Sequence, residues 1–132
     1  MTLPIELSGS RGVFAGVRIA LRPGDRLTVG RSRFVDVSAA KTPMALRIGR
    51  ATLEKNDGFR RMSRRHLEIA YEDGDKLVIK DLSRNGVLLD GRRMESSVTI
   101  DAAAISDGGV VLRFGAGEEL RLRARKTVGA AS

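Results

Sequence analysis

Residues 67–80 read LEIAYEDGDKLVIK, and this stretch decides the fold class. Two apolar runs, Leu67–Tyr71 and Lys76–Lys80, lie on either side of an Asp-Gly-Asp turn. Short runs of this kind, separated by a glycine-containing turn, are typical of a β-hairpin. The sequence therefore predicts two antiparallel strands here.

A second pair of runs near the end of the chain has the same form. Val110–Phe114 leads through a glycine turn into Leu120–Ala124. Side chains alternate between the two faces of a strand, so the last run has one apolar and one polar face. The alternation predicts that Leu120, Leu122 and Ala124 are buried and that Arg121 and Arg123 face solvent.

Turn signals recur along most of the chain. Glycine-containing turns stand at residues 23–25, 57–58, 73–75, 85–86, 90–91, 107–109 and 115–117. Clusters of Gly with Asp, Asn or Pro mark turns, and many short strands between regular turns are typical of a sandwich or barrel. The sequence therefore predicts an all-β fold.

One segment departs from this pattern. Between Ala39 and Arg60 the apolar residues are spaced more like a helix than a strand, with Thr42 a candidate N-cap and Pro43 a candidate first helical residue. Gly49 counts against a continuous helix. We predict one domain over residues 1–125, with an inserted loop or short helix over 39–60, and a flexible tail over 126–132.

Composition narrows the classes of function. The 132 residues include no Cys, which excludes disulfides, thiolate metal sites and a cysteine nucleophile. The absence of Cys also fits a reducing compartment, so we expect a cytoplasmic location, or a nuclear one in a eukaryote. No apolar run approaches the roughly 20 residues that a spanning helix needs, so we expect no membrane association. The net charge of +8 is carried mainly by Arg, whose planar fork pairs bidentately with phosphate.

Three short motifs stand in order along the predicted strands. They are Thr28-Val29-Gly30-Arg31-Ser32, then Ser63-Arg64-Arg65-His66, then Asp81-Leu82-Ser83-Arg84-Asn85-Gly86. Together, in this order, they resemble the forkhead-associated (FHA) family, and the resemblance runs from about Leu7 to Arg123. It implies a two-sheet β-sandwich of about 11 strands whose loops at one end bind a phosphothreonine peptide.

The resemblance also implies roles for individual residues. Arg31 matches the phosphate-binding arginine, Ser63 the serine that donates to a phosphate oxygen, and Asn85 the asparagine that binds the peptide backbone. Arg64 and Arg84 are candidate additional phosphate ligands, and Arg61 is a candidate specificity residue that reads an acidic side chain. Structural roles are expected for three further residues: Gly30 in a tight backbone turn, His66 in tying the loops together, and Gly86 in the Asn-Gly turn.

Two features depart from the family pattern. Arg84 stands where the family most often has threonine, so it supplies either a second cation or a solvent-exposed side chain. The distance from Gly30-Arg31 to Ser63 is also about twice the usual one, which makes Arg50, after Gly49, a rival phosphate ligand. We favour Arg31 because Asp36 follows it by five residues and opens a predicted short strand, as in the family.

The resulting prediction is a binding module for a threonine-phosphorylated protein in a Ser/Thr kinase pathway, without cofactor or metal. One alternative is a degenerate FHA scaffold that binds its partner independently of phosphate. Another is a basic nucleic-acid-binding module, which the 4% aromatic content makes a poor fit because base stacking needs arrayed aromatic rings. An enzyme is not expected, since His66 and Ser63 have no accompanying third group or oxyanion motif.

Overall fold

The computed structural model of the chain describes residues 4–105 and 108–124. Eleven strands lie within these residues: β1 Ile5–Arg11, β2 Arg18–Leu21, β3 Arg26–Gly30, β4 Val37–Ser38, β5 Leu67–Glu72, β6 Lys76–Asp81, β7 Val87–Leu89, β8 Arg92–Arg93, β9 Ser97–Asp101, β10 Val110–Phe114 and β11 Glu118–Ala124. Three short α-helices precede β5: α1 Pro43–Ile48, α2 Arg50–Glu54 and α3 Asp57–Arg61. Single 3₁₀ turns span Gly12–Phe14 and Ala102–Ala104.

The strands form two sheets. One has six strands in the order β2-β1-β11-β10-β7-β8, and the other has five in the order β4-β3-β5-β6-β9. Every pairing is antiparallel except that of β3 with β4, which is parallel. The predicted all-β sandwich of about 11 strands is confirmed.

The core lies between the apolar faces of the two sheets. In the five-stranded sheet, Leu67, Ile69, Leu77 and Ile79 are fully buried at alternate positions of β5 and β6. The other sheet contributes a matching set of fully buried residues: Ile5, Leu7, Leu112, Leu120 and Leu122. Each such side chain stabilises the fold by about 1.5 to 3 kcal/mol relative to exposure, which is what holds the two layers together.

Both predicted hairpins are present. Strands β5 and β6 pair in register from Leu67 opposite Asp81 to Glu72 opposite Lys76, and β10 pairs with β11 in the same way. In β11, Leu120 and Leu122 are buried and Arg123 is exposed, as predicted, whereas Arg121 and Ala124 are both half-buried. Because β11 lies between β1 and β10 at the centre of its sheet, its polar face is partly covered as well.

The segment before β5 forms helices, not a plain loop. Thr42 caps α1 by accepting the Ala45 backbone N–H on its hydroxyl at 3.1 Å, and Pro43 is the first helical residue, as predicted. Gly49 ends α1 with φ of 83°, a conformation that favours glycine, and α2 then begins at Arg50. The segment is therefore broken into separate turns of helix, each held to the sandwich by a few buried residues such as Ala45 and Leu53.

The predicted tail, residues 126–132, lies outside the described residues. Among the helices that are described, none is long and apolar enough to cross a membrane.

Candidate functional site

Three loops meet at one end of the sandwich. The backbone N–H of Arg31, just after β3, donates to the carbonyl oxygen of Ser63 at 3.0 Å. The backbone N–H of Arg84, after β6, donates to the hydroxyl oxygen of Ser63 at 3.0 Å. Ser63 thus joins the β3–β4, β4–β5 and β6–β7 loops, which are far apart in the chain.

The guanidinium of Arg31 is held from one side only. Its Nε donates to the carbonyl oxygen of Met62 at 3.0 Å, and its Cζ lies 6.0 Å from the centre of the Phe59 ring, within cation–π range. Among residues 4–105 and 108–124, no carboxylate forms an ion pair with Arg31. Its two terminal nitrogens, which form the planar fork, therefore remain to receive an anion from outside.

The hydroxyl of Ser63 is oriented by the same arrangement. Because its oxygen accepts the Arg84 backbone N–H, its own proton points elsewhere and can be donated to an incoming acceptor. Ser63 is only partly buried, so this proton is within reach of a ligand.

Asn85 lies at the exposed tip of the β6–β7 loop. Its side-chain N–H donates to the carbonyl oxygen of Arg61 at 2.9 Å, which ties this loop to the end of α3. The amide oxygen and the second N–H of Asn85 remain for a peptide backbone, which offers one donor and one acceptor per residue. The Arg61 side chain is exposed beside this contact.

His66 is fully buried beneath the loops. Its Nδ1 accepts the backbone N–H of Ser63 at 3.0 Å, so Nε2 carries the hydrogen and donates to the carbonyl oxygen of Gly86 at 3.0 Å. The ring also stacks against Phe114, with centroids 4.8 Å apart. Burial lowers the pKa of His66 below its usual value, so the imidazole is neutral in the folded chain at neutral pH.

The two structural glycines act for different reasons. Gly86 has φ of 95°, as an Asn-Gly turn requires. Gly30 was expected to allow a tight turn, but it is the last residue of β3 and its φ is not positive. A Cβ at Gly30 would lie 2.1 Å from the carbonyl oxygen of Arg64, so glycine is needed because another backbone passes close by.

The rival arginine lies in a different environment. Arg50 begins α2, its side chain is 84% exposed, and its Nε lies 3.4 Å from Glu54 in an i,i+4 ion pair. Asp36, five residues after Arg31, accepts the Thr28 backbone N–H at 2.9 Å and immediately precedes β4. The structure brings Arg31 to Ser63 and leaves Arg50 on a helix surface with its charge already paired.

Arg64 and Arg84 contribute backbone hydrogen bonds to the site. The carbonyl oxygen of Arg64 accepts the Ser32 N–H at 3.1 Å, and the N–H of Arg84 contacts Ser63 as described above. Both side chains are exposed. No side-chain hydrogen bond or ion pair fixes either guanidinium among the described residues.

The sequence analysis did not identify the groups that orient the predicted binding residues. The Met62 carbonyl and the Phe59 ring hold Arg31, and Ser83 shapes the β6–β7 loop by accepting the Gly86 N–H on its hydroxyl at 2.8 Å. Backbone carbonyls carry no sequence signal. Ser83 lies inside the third motif, so its position was visible but its role was not.

The fold and this cluster of polar loops at one end define a class, the β-sandwich binding modules. The family model for the FHA domain matches residues 27–115, and the chain belongs to this family. FHA domains are binding modules and not catalytic units.

Solved FHA domains have the same architecture. One from an Arabidopsis thaliana hypothetical protein is 25% identical, with a TM-score of 0.68 over 99% of this chain and 92% of that one. A second, from a structural and functional study of phosphothreonine-dependent FHA domain interactions, is 25% identical with a TM-score of 0.61, covering 92% of this chain and 97% of that chain. The N-terminal FHA domain of Saccharomyces cerevisiae Rad53p, solved with a phosphothreonine peptide, is 15% identical with a TM-score of 0.61, covering 92% of this chain and 93% of that chain.

No curated protein matches the chain. Within the part of the chain that the structure describes, no group of three or more His, Cys, Asp or Glu side chains is arranged to hold a metal ion.

Proposed function

We propose that this chain is a phosphopeptide-recognition module that binds phosphothreonine in a partner protein and catalyses no reaction. The observation that carries the proposal is the pairing of Arg31 with Ser63. The Arg31 N–H donates to the Ser63 carbonyl at 3.0 Å, and the Arg31 guanidinium is held at the carbonyl of Met62, the residue before Ser63. Among the described residues that guanidinium has no carboxylate partner, and the Ser63 hydroxyl keeps its proton for an incoming acceptor.

The chemistry of phosphothreonine fits these groups. The phosphate carries nearly two negative charges and three strong acceptor oxygens at neutral pH. The Arg31 fork neutralises charge and donates two hydrogen bonds, while the Ser63 hydroxyl donates a third. Arg64 and Arg84, whose exposed side chains lie on the same loops, supply further cationic donors when a dianion is present.

Asn85 orients the peptide that carries the phosphate. Because its side chain is anchored to the Arg61 carbonyl, it presents its remaining amide groups in a fixed direction. Such a residue recognises main-chain atoms and is indifferent to the peptide's side chains. Arg61, beside it, is the proposed specificity residue and favours an acidic side chain in the ligand.

The expected affinity is modest. Three or four charge-assisted hydrogen bonds contribute about 1.5 to 3 kcal/mol each, and much of this is offset by the cost of ordering a flexible peptide. The surrounding arginines speed capture of the dianion and make binding sensitive to salt. Reversible binding of this kind suits a signalling module.

The family supports the same proposal. FHA domains are known for binding phosphothreonine peptides, and one of the solved domains that share 25% identity with this chain comes from a study of such interactions. We therefore propose as partner a protein phosphorylated on threonine by a Ser/Thr kinase, in the cytoplasm or, in a eukaryote, the nucleus.

The decisive experiment is a pair of titrations. A peptide library with a central phosphothreonine identifies a ligand, and this peptide and its unphosphorylated twin are then titrated by fluorescence anisotropy at low and moderate salt. We expect binding of the phosphorylated peptide only. Equal binding of both peptides would favour the phosphate-independent scaffold, and a duplex oligonucleotide that competes at moderate salt would favour the nucleic-acid module.

A further inference from the structure

A cavity of about 370 Å³ opens beside the β6–β7 loop, and the proposed phosphate-binding residues Arg31 and Ser63 do not line it. Asn85 and Gly86 form one wall, and the turn between β10 and β11 forms another at Gly115. Its charged lining comes mainly from arginines: Arg11, Arg93 and Arg113. A peptide held at Asn85 therefore runs along the rim of a basic cavity.

Arg93 is an exposed cation at this rim. Its guanidinium lies against Gly86: a Cβ built on that glycine would be 3.0 Å from Arg93 Cζ and 3.1 Å from one terminal nitrogen. A side chain at Gly86 would crowd the guanidinium in this position. Among the 119 residues in the two described ranges, none offers Arg93 an ion-pair partner.

The two acidic side chains that line the cavity already have hydrogen-bond partners within the protein. Glu119 accepts Arg113 Nε at 2.9 Å and the Ser10 hydroxyl at 2.7 Å. Glu118 accepts the Val13 backbone N–H at 2.8 Å, and burial raises its pKa. Both carboxylates are therefore buried and hydrogen-bonded within the protein, and the exposed charged side chains of the lining, Arg11, Arg93 and Arg113, are all positive.

We propose that this cavity is a second anion subsite, in which Arg93 binds an acidic or phosphorylated side chain of the same peptide whose phosphothreonine binds Arg31 and Ser63. This inference rests on the proposed function. It adds a second anion-binding residue to the specificity role proposed for Arg61, and it assigns specificity to a residue outside the three motifs.

The spacing of the two anions follows from the loop. Arg84 contacts Ser63 directly, Gly86 is two residues further on, and Arg93 lies against Gly86. The path from Ser63 to Arg93 thus runs through only a few residues, and an extended peptide, which advances about 3.3 Å per residue, spans it within a few positions. The second anion is expected about three to five positions from the phosphothreonine.

Arg92 provides a matched control. It is the neighbour of Arg93 in β8, it is equally an exposed arginine, and it does not line the cavity. Successive side chains of a strand point to opposite faces. Arg92→Gln and Arg93→Gln remove the same charge at nearly the same place, so only a direct contact distinguishes them.

The test is a double-mutant cycle by fluorescence anisotropy. Phosphothreonine peptides carry Glu or Gln at one position at a time, from two to six residues on either side, and each pair is titrated against the parent, Arg92→Gln and Arg93→Gln. At one position we expect the parent to prefer Glu by about three- to ten-fold, with this preference lost in Arg93→Gln and kept in Arg92→Gln. Replacing that Glu by phosphoserine shows whether the subsite prefers a carboxylate or a second phosphate, and either preference supports it.

Failure of the second subsite can be distinguished from failure of the proposed function. If the parent binds phosphothreonine peptides but shows no Glu preference, or if both variants lose it equally, the subsite is wrong and the proposed function stands. If the parent binds neither the phosphorylated nor the unphosphorylated peptides, both the proposed function and the subsite are wrong. Thermal melts of the two variants confirm that each is folded.

Discussion

The imidazole of His66 and the backbone of Ser63 form a local clamp, in which Nδ1 accepts the Ser63 N–H at 3.0 Å. This bond leaves the ring hydrogen on Nε2, which donates to the carbonyl oxygen of Gly86 at 3.0 Å. One buried ring thus links two loops, one with the proposed phosphate-binding Ser63 and the other with the proposed peptide-binding Asn85. The clamp works only when the ring is neutral, because a protonated Nδ1 cannot accept.

Removing the clamp should destabilise the fold before it affects ligand binding directly. We expect His66→Ala to lower the free energy of unfolding by about 2 to 4 kcal/mol, through two lost hydrogen bonds and a cavity against Phe114. Chemical denaturation measures this change. Arg33→Ala, at an exposed loop position, is the control and should stay within about 0.5 kcal/mol of the parent. Equal stability of the two variants would contradict a structural role for His66.

The same ring predicts a dependence of stability on pH. Burial lowers the pKa of His66 from its usual 6.5, so the unfolded chain takes up a proton that the folded chain does not. Its contribution to stability is complete above pH 6.5 and is lost as the pH falls from 6.5 towards the lower folded-state pKa. We expect the urea midpoint to fall between pH 7.5 and 5.5.

His66→Gln isolates this effect, because the chain has no other histidine. Burial raises the pKa of Glu118 from 4.5, so that carboxyl acts with the opposite sign and disfavours folding as the pH rises above 4.5. The variant retains Glu118, so the difference between parent and variant reports the imidazole alone. A parent-like pH slope in His66→Gln would refute the assignment.

Two arginines separate the alternative assignments of the phosphate ligand. Arg31→Ala should weaken phosphopeptide binding by about 2 to 5 kcal/mol, because it leaves a buried part of the dianion unpaired. Arg50→Ala removes the same charge from a helix surface and should change affinity only slightly. Isothermal titration of both variants with one phosphopeptide measures the contrast. A larger loss in Arg50→Ala would reverse the assignment.

Close backbone approach at Gly30 predicts a large effect from one methyl group. Gly74→Ala, in the β5–β6 turn with φ of 78° and open space around it, should cost about 1 to 2 kcal/mol for the left-handed conformation alone. Gly30→Ala should cost about 3 kcal/mol or more, since its Cβ would collide with the Arg64 carbonyl and push the Ser63 loop away from Arg31. Unfolding curves of the two variants show which substitution lowers the free energy of unfolding more. A smaller loss for Gly30→Ala than for Gly74→Ala would show that the Arg64 backbone shifts at little cost.

Much of the fold was predictable because its signals are local. The alternation in β5, β6 and β11 and the glycine turns between strands depend only on neighbouring residues, and so does the Thr42-Pro43 helix start. The helical spacing after it was less informative. Ala51, one of the apolar residues whose helical spacing the sequence shows, is exposed because Gly49 divides the segment and α2 starts anew at Arg50.

The site was predictable only as a set of residue identities. The three motifs named Arg31, Ser63 and Asn85, but not the Met62 carbonyl that holds Arg31 or the close approach that requires Gly30. Burial of Glu118 and Glu119 at the start of β11 was also missed. Their partners, Val13, Ser10 and Arg113, are assembled by strand pairing, and no pattern around 118–119 indicates them.

By itself, the sequence determined a two-layer β fold and the order of the polar motifs along it, because strand alternation and turn chemistry are properties of a few adjacent residues. Only the tertiary structure decided that Arg31, and not Arg50, lies beside Ser63, and that Arg93 lies against Gly86 over a basic cavity. These relationships join residues from separate strands and loops. They exist because packing of the two sheets brings the loops to one end, where backbone hydrogen bonds between them set the distances.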